Sequence, residues 1–187
     1  MLVKKNTRIA EVGFREYQYP AALPGTQPAL GDRVFSLKRK DFIIKGKLER
    51  RIAKLPNGRN IGIESGVLVG GKRMHVPMMD FSLTKSKKSL EAIKTVFGKL
   101  VAEKFSGGVI VETDNSYHFI GDRLLSERGM NEFLYWSLIA VVRKAEGKLN
   151  NLVDVPFVGY SLLKGSMCLR ITSYPDKNYL PKVVLKV

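Results

Sequence analysis

Residues that build cross-links and soft-metal centres are scarce in this chain. Its 187 residues include one cysteine, Cys168, and two histidines, His75 and His118. A lone thiol cannot form an intrachain disulfide or a cysteine-based zinc site, and it points to a reducing compartment. Long apolar runs are missing too. No stretch approaches the ~18 apolar residues of a membrane-spanning helix. Met1–Arg8 is charged with no apolar segment behind it, so no secretory leader is expected. Acidic side chains are also few: 17 Asp and Glu face 32 Lys and Arg, for a net charge of +15.

That imbalance sets the first functional expectation. Gathering like charge into one folded body costs self-repulsion. A polyanion relieves it, and counterion release rewards each phosphate contact. The expected partner is therefore nucleic acid, and the expected location is cytoplasmic, nucleoid- or replication-associated. An anionic membrane surface fits less well, because no basic amphipathic helix with a Trp/Phe/Leu face is evident. An excess of lysine that serves only solubility is the plain alternative. Hydrophobic residues make up 44% of the chain, enough for one domain with a real core.

Residues 1–40 are expected to be an N-terminal arm, because Pro20, Pro24, Gly25, Pro28 and Gly31 break any periodicity, although Val34–Leu37 could form a short strand. Residues 41–187 are expected to be the working domain. Ile44, Leu48, Ile52 and Leu55 recur at helical spacing behind Asp41 as N-cap, and Pro56-Asn57-Gly58 stops them. Asn60–Val69 and Lys72–Leu83 are extended runs joined by Gly70-Gly71, a hairpin signal. Ser86–Phe105 returns to helical spacing. Val109–Ile120 reads as a strand or as a hairpin about Asp114-Asn115. Asn131–Gly147 reads as a helix, and Leu152–Tyr160, Cys168–Ser173 and Val183–Val187 as strands. The order implies an α+β fold, a mainly antiparallel sheet with helices packed against it.

Three short segments could carry chemistry. In Met78-Met79-Asp80-Phe81-Ser82 a carboxylate ends an apolar strand, where it needs a partner or a metal, or else caps the next turn. In Ser116-Tyr117-His118 a hydroxyl and an imidazole share one face of a strand and could both touch a phosphate, although a core histidine held by the backbone is the commoner case. Asp154 again follows apolar residues, and Arg170, between Leu169 and Ile171, offers a planar fork suited to phosphate or carboxylate. Trp136 and Tyr135 could stack a base or simply pack. Lys85, Lys87 and Lys88 crowd a helix N-terminus, where cations oppose the dipole and a phosphate would relieve them. Arg39 and Lys40 add basic surface.

The succession Asp80, Ser116-Tyr117-His118, Asp154 and Leu169-Arg170-Ile171 resembles the archaeo-eukaryotic primase superfamily over roughly residues 60–187. That resemblance implies an RRM-like core and a nucleotidyltransferase that binds a single-stranded template or primer-template and a nucleoside triphosphate, with a helicase or polymerase as possible partner. It assigns Asp80, Asp154 and His118 to catalysis and Asp80 and Asp154 to Mg²⁺ or Mn²⁺. Ser116, His118, Arg170, Lys177 and Lys182 would hold the nucleotide, and Lys85, Lys87, Lys88, Arg39 and Lys40 the nucleic acid. The first motif departs from the family's Asp-x-Asp: Ser82 stands where the second acid belongs, with Glu112 or Asp114 as possible replacements. Two alternatives stay open, a degenerate primase-derived module that binds without catalysis and an unrelated basic RNA-binding protein.

Overall fold

The computed structural model describes residues 9–18, 33–43, 46–143, 149–172 and 181–187. The Gly70-Gly71 turn joins β4 (Gly66–Val69) to β5 (Lys72–His75), as expected. Both glycines have positive φ, 57° and 78°, the pairing that a tight two-residue hairpin requires. The helix expected from Asp41 to Leu55 is broken. It forms α1 (Arg39–Ile43) and α2 (Lys47–Ala53), because Gly46 adopts φ 103° between them. Asp41 therefore lies inside α1 and pairs with Lys47 at 2.9 Å instead of capping.

The expected N-terminal arm is in part sheet. β1 (Glu11–Gln18) and β2 (Arg33–Lys38) join β3 (Arg59–Glu64) and β11 (Cys168–Arg170) in an antiparallel sheet of order β11-β3-β1-β2. Val12 and Phe14 face inward, and so does Glu16, whose carboxylate meets Arg59 Nε at 2.7 Å. An inward glutamate hides the period-two pattern. Residues 1–8 and the Pro/Gly-rich stretch 19–32 lie outside the described residues, as does Ile44.

The second sheet has the order β12-β7-β8-β6 and is also antiparallel. Its strands are β6 (Met78–Asp80), β7 (Gly108–Glu112), β8 (Tyr117–Gly121) and β12 (Lys182–Lys186). β6 and β7 both run antiparallel to β8, which lies between them, so they are parallel and need a crossover. The chain supplies it as α3 (Lys87–Ala92), a π-helix (Ile93–Ala102) and α4 (Glu103–Phe105). Ser86 caps α3 by accepting from Ser89 N at 3.0 Å. The result is a split β-α-β unit.

The main core lies between this sheet and its helices. Phe97 from the π-helix meets Phe81, Phe119 and Phe133 edge to face, at centroid distances of 5.0, 5.2 and 6.2 Å. Phe133 comes from α5 (Glu127–Leu138). This helix stops nine residues short of the expected Gly147, because the β-branched pair Val141-Val142 forms β9 (Val141–Arg143) against β10 (Leu149–Asn151). Ala145 and Gly147 lie outside the described residues. The strand expected over Leu152–Tyr160 is instead helical from Val155: α6 (Val155–Lys164) is capped by Asp154, has proline in its first turn and ends on Gly165 at φ 67°. Among the described residues no helix is long and apolar enough to cross a membrane.

Candidate active site

Neighbouring residues on β6 and β8 alternate between two faces. Met79 and Phe119 face the aromatic core, and Asp80 and His118, directly opposite each other in register, face the other way. On the far side of β6 the chain makes one more contact. Asp154 N donates to Asp80 O at 2.9 Å, Ser82 N donates to Leu152 O at 2.9 Å, and Phe81 bridges Val153 in antiparallel sense. That register sets Asp154 opposite Asp80, as a cross-strand pair with Cβ atoms about 4.5–5.5 Å apart. His118, Asp80 and Asp154 thus form one row, from three segments far apart in sequence.

The row is electrostatically tense. Asp80 Oδ1 lies 3.4 Å from His118 Nε2. Burial and then the Asp154 carboxylate push Asp80 up to about 7, although Arg170 and the Phe81 N–H pull the other way. His118 is buried, and burial followed by Arg170 pushes it down to about 4. At neutral pH its imidazole is therefore uncharged. It faces the Asp80 carboxyl as a neutral ring.

Asp154 Oδ1 accepts from Phe157 N at 2.8 Å, which fixes its carboxylate by helix capping. Arg170 reaches from β11 of the first sheet to the 113–116 turn of the second, where its Nη2 lies 3.6 Å from Asp114 Oδ1. Arg170 thus pairs with Asp114, which also raises the affinity of both Asp80 and His118 for a proton. Of the two possible replacement acids Asp114 is therefore the one at the site. Glu112 pairs with Lys85 at 3.3 Å.

Ser116 has a different task from the phosphate contact expected of it. Its hydroxyl points at the carbonyls of Phe81, at 2.6 Å, and Leu83, at 2.7 Å. The proton it would give a phosphate is used to tie the turn to the end of β6. Ser82, the odd residue of the first motif, donates to Asn151 O at 2.8 Å and lies 3.3 Å from Leu152 O. A second acid there would set a carboxylate against two carbonyl oxygens. Ser82→Asp should therefore destabilise the fold by about 0.5–1.5 kcal/mol, the net worth of the lost hydrogen bond at an exposed position. Chemical denaturation measures it, and an unchanged midpoint would remove Ser82 as the clasp between the first and third motifs.

The remaining expected residues spread out. Lys85, Lys87 and Lys88 are exposed beside the turn: Lys85 N donates to Asn115 O at 3.2 Å, and Tyr117 Oη to Ser86 O at 3.2 Å. Lys182 lies opposite Glu112 on the edge strand β12 and is exposed. Arg39 and Lys40 follow β2, three strand spacings from β11, or about 14 Å. They are not drawn into the row. Lys177 falls outside the described residues.

The expected Mg²⁺ or Mn²⁺ meets a sparse donor set. Among the described residues no group of three or more His, Cys, Asp or Glu side chains converges to hold a metal. With Ser82 engaged by the main chain, the residues do not fit a two-metal centre. Asp80 and Asp154 do fit a single hard cation, which takes one or two carboxylates and completes its shell with phosphate oxygens and water.

A family model described as archaeo-eukaryotic primase 1D-like matches residues 42–184, more than half of the chain. No curated protein and no solved structure matches it.

Proposed function

The chain belongs to the archaeo-eukaryotic primase 1D-like family, and from that premise we propose that it is a metal-dependent nucleotidyltransferase that extends a nucleic-acid strand on a single-stranded template. The observation that carries this reading is the row His118–Asp80–Asp154, in which two carboxylates face each other and burial, then the Asp154 carboxylate, push Asp80 up to about 7. A divalent cation would relieve that repulsion. The split β-α-β unit, with the 152–154 segment on the outer side of β6, supports an RRM-like reading of the core. Family membership sets aside an unrelated basic protein.

In this reading Asp80 and Asp154 hold one Mg²⁺ or Mn²⁺, which when bound supplies charge neutralisation for the triphosphate. His118, uncharged and buried, holds the Asp80 carboxyl in its orientation. The Arg170 charge acts on both Asp80 and His118. Its pairing with Asp114 keeps the guanidinium aimed there, and a triphosphate would compete for it. Lys85, Lys87, Lys88 and Lys182 form the basic rim on which template or triphosphate phosphates would settle. Removing Arg170 as Arg170→Met should raise the KM for nucleoside triphosphate roughly 10- to 150-fold, the value of one charge-assisted contact. Steady-state incorporation kinetics measure it, and an unchanged KM would take Arg170 out of the nucleotide site.

Ser82 favours a second reading, a binding module that has lost transfer chemistry, because its engagement leaves two acids where the family's pattern has three. Incorporation of labelled nucleotide on a single-stranded template separates the two. The catalytic reading expects incorporation that requires Mg²⁺ or Mn²⁺ and disappears in Asp80→Ala and Asp154→Ala. Template binding without incorporation, indifferent to divalent ions and to His118→Ala, would establish the second.

A further inference from the structure

Trp136 and Tyr135 are not part of the core. Trp136 is 37% exposed and Tyr135 58%, on the outer side of α5, with Leu100 and Ile139 exposed as well. Lys104 Nζ lies 3.5 Å from the centre of the Trp136 ring, a cation–π contact that ties α5 to the end of the crossover helix. Trp136 thus stands at one end of a basic helix whose other end is the site.

The π-helical stretch gives that helix a particular surface. Its ladder closes every five residues. Lys94 and Lys99 are five apart within it, so they lie near each other on the side away from buried Ile93, Phe97 and Val101, and Lys104 follows in α4. All three lysines are exposed. Among the described residues Lys94 and Lys99 have no ion-pair or hydrogen-bond partner. Lys87 and Lys88 extend the basic residues to the N-terminus of α3, beside the 113–116 turn. Glu91 and Glu103 share this surface, so five lysines face two glutamates. On α5 the nearby Glu132 is held by Arg128 at 3.0 Å.

A row of unpaired cations leading to exposed aromatic rings is what single-stranded nucleic acid requires: cations for its phosphates and ring faces for its bases. An acidic peptide would use the lysines and leave the aromatics idle. We propose that the outer face of the crossover helix is a second nucleic-acid contact, which guides a single strand from the acidic row along Lys87, Lys94 and Lys99 to stack a base on Trp136 and Tyr135. This rests on the reading of the chain as a nucleic-acid binder and adds a surface to it.

Trp136 is the only tryptophan, so intrinsic fluorescence reports on this one place. The intact protein is titrated with single-stranded oligodeoxythymidine in parallel by tryptophan emission and by anisotropy of a labelled oligonucleotide. Quenching should follow the anisotropy curve. Lys94→Glu/Lys99→Glu should raise Kd about tenfold or more and flatten the log-log salt slope by about 1.4, at ~0.7 for each lost single-strand phosphate contact. Tyr135→Ala should raise Kd roughly fivefold or more. Binding by anisotropy with unchanged tryptophan emission would overturn the surface and leave the nucleic-acid reading standing. No binding by either method would overturn both. Equal quenching by polyglutamate would show a general anion patch and overturn the stacking assignment. Circular dichroism of the variants confirms that they are folded, since every substituted side chain is exposed.

Discussion

Asp80→Asn should make the protein more stable without divalent ions and reduce nucleotide incorporation by a factor of roughly 10³, about 4 kcal/mol of transition-state stabilisation. The two effects come from one cause. Asp80 is opposed by Asp154 and partly buried, so its folded-state affinity for a proton is raised from an ordinary 3.8 to about 7. The folded chain keeps a proton there that the unfolded chain has already lost. Stability from this group is therefore present at low pH and is lost as pH rises from about 4 to 7. An amide has no charge to lose, so the variant escapes that loss. His118 acts in the opposite sense. Its affinity is lowered from 6.5 to about 4, so it adds stability as pH rises over that interval. In the unsubstituted protein the two trends offset between pH 4 and 6.5. In Asp80→Asn the histidine trend should stand alone, and stability should climb with pH.

Thermal melts in EDTA across pH 4–8 read this directly, with each kcal/mol worth about 2–4 °C in a chain of this size. Adding Mg²⁺ should then raise the Tm of the unsubstituted protein and leave the variant where it was, because only a ligand that binds the folded state stabilises it. A variant that melts lower at pH 7 in EDTA would show that the Asp80 carboxylate is a structural anchor. In that case the row would lose its standing as a cation site.

Much of this site was legible as a set of residues and little of it as a geometry. The order of Asp80, His118 and Asp154 is visible in the sequence, and so is the hairpin that carries His118, marked by the polar turn Thr113-Asp114-Asn115-Ser116 between apolar strands. That Asp154 opposes Asp80 depends on one isolated bridge between Phe81 and Val153, a contact between segments with no shared periodicity. Asp154 itself was misplaced on a strand. Asp154-Val155-Pro156 followed by Gly165 is a helix start and stop, but the intervening Phe-Val-Gly-Tyr also suits a strand, and periodicity over so short a run does not separate the two. The pairing of Asp114 with Arg170 escaped for a different reason. A turn aspartate next to asparagine is explained by the turn alone, so nothing local shows that Arg170, on another sheet, completes it. Ser116 was expected to hold phosphate because a hydroxyl in sequence carries no record of which carbonyl takes its proton.

Phe97→Ala should destabilise the fold by about 3–5 kcal/mol, lowering Tm by roughly 6–20 °C in this 187-residue chain. Phe97 is fully buried, and its ring touches Phe81, Phe119 and Phe133 edge to face, so the substitution removes both the transfer term and three aromatic contacts. A helix with a wide π turn collapses poorly around a void, because Gly98 beside Phe97 offers no side chain to fill it. The consequence for function follows from adjacency. Phe81 is the residue after Asp80, Phe119 is the residue after His118, and both turn inward where their neighbours turn toward the row. Loosening the aromatic cluster releases the two strands that align Asp80 with His118, so activity should fall at temperatures where the protein is still folded. Phe97→Leu, which keeps most of the volume and loses the ring edges, should lie between the two on both measures. Incorporation assayed 15 °C below each variant's own Tm separates the two effects. Full activity in Phe97→Ala under that condition would show that the row is aligned by its own bridge at Phe81 and Val153 and does not depend on the aromatic core behind it.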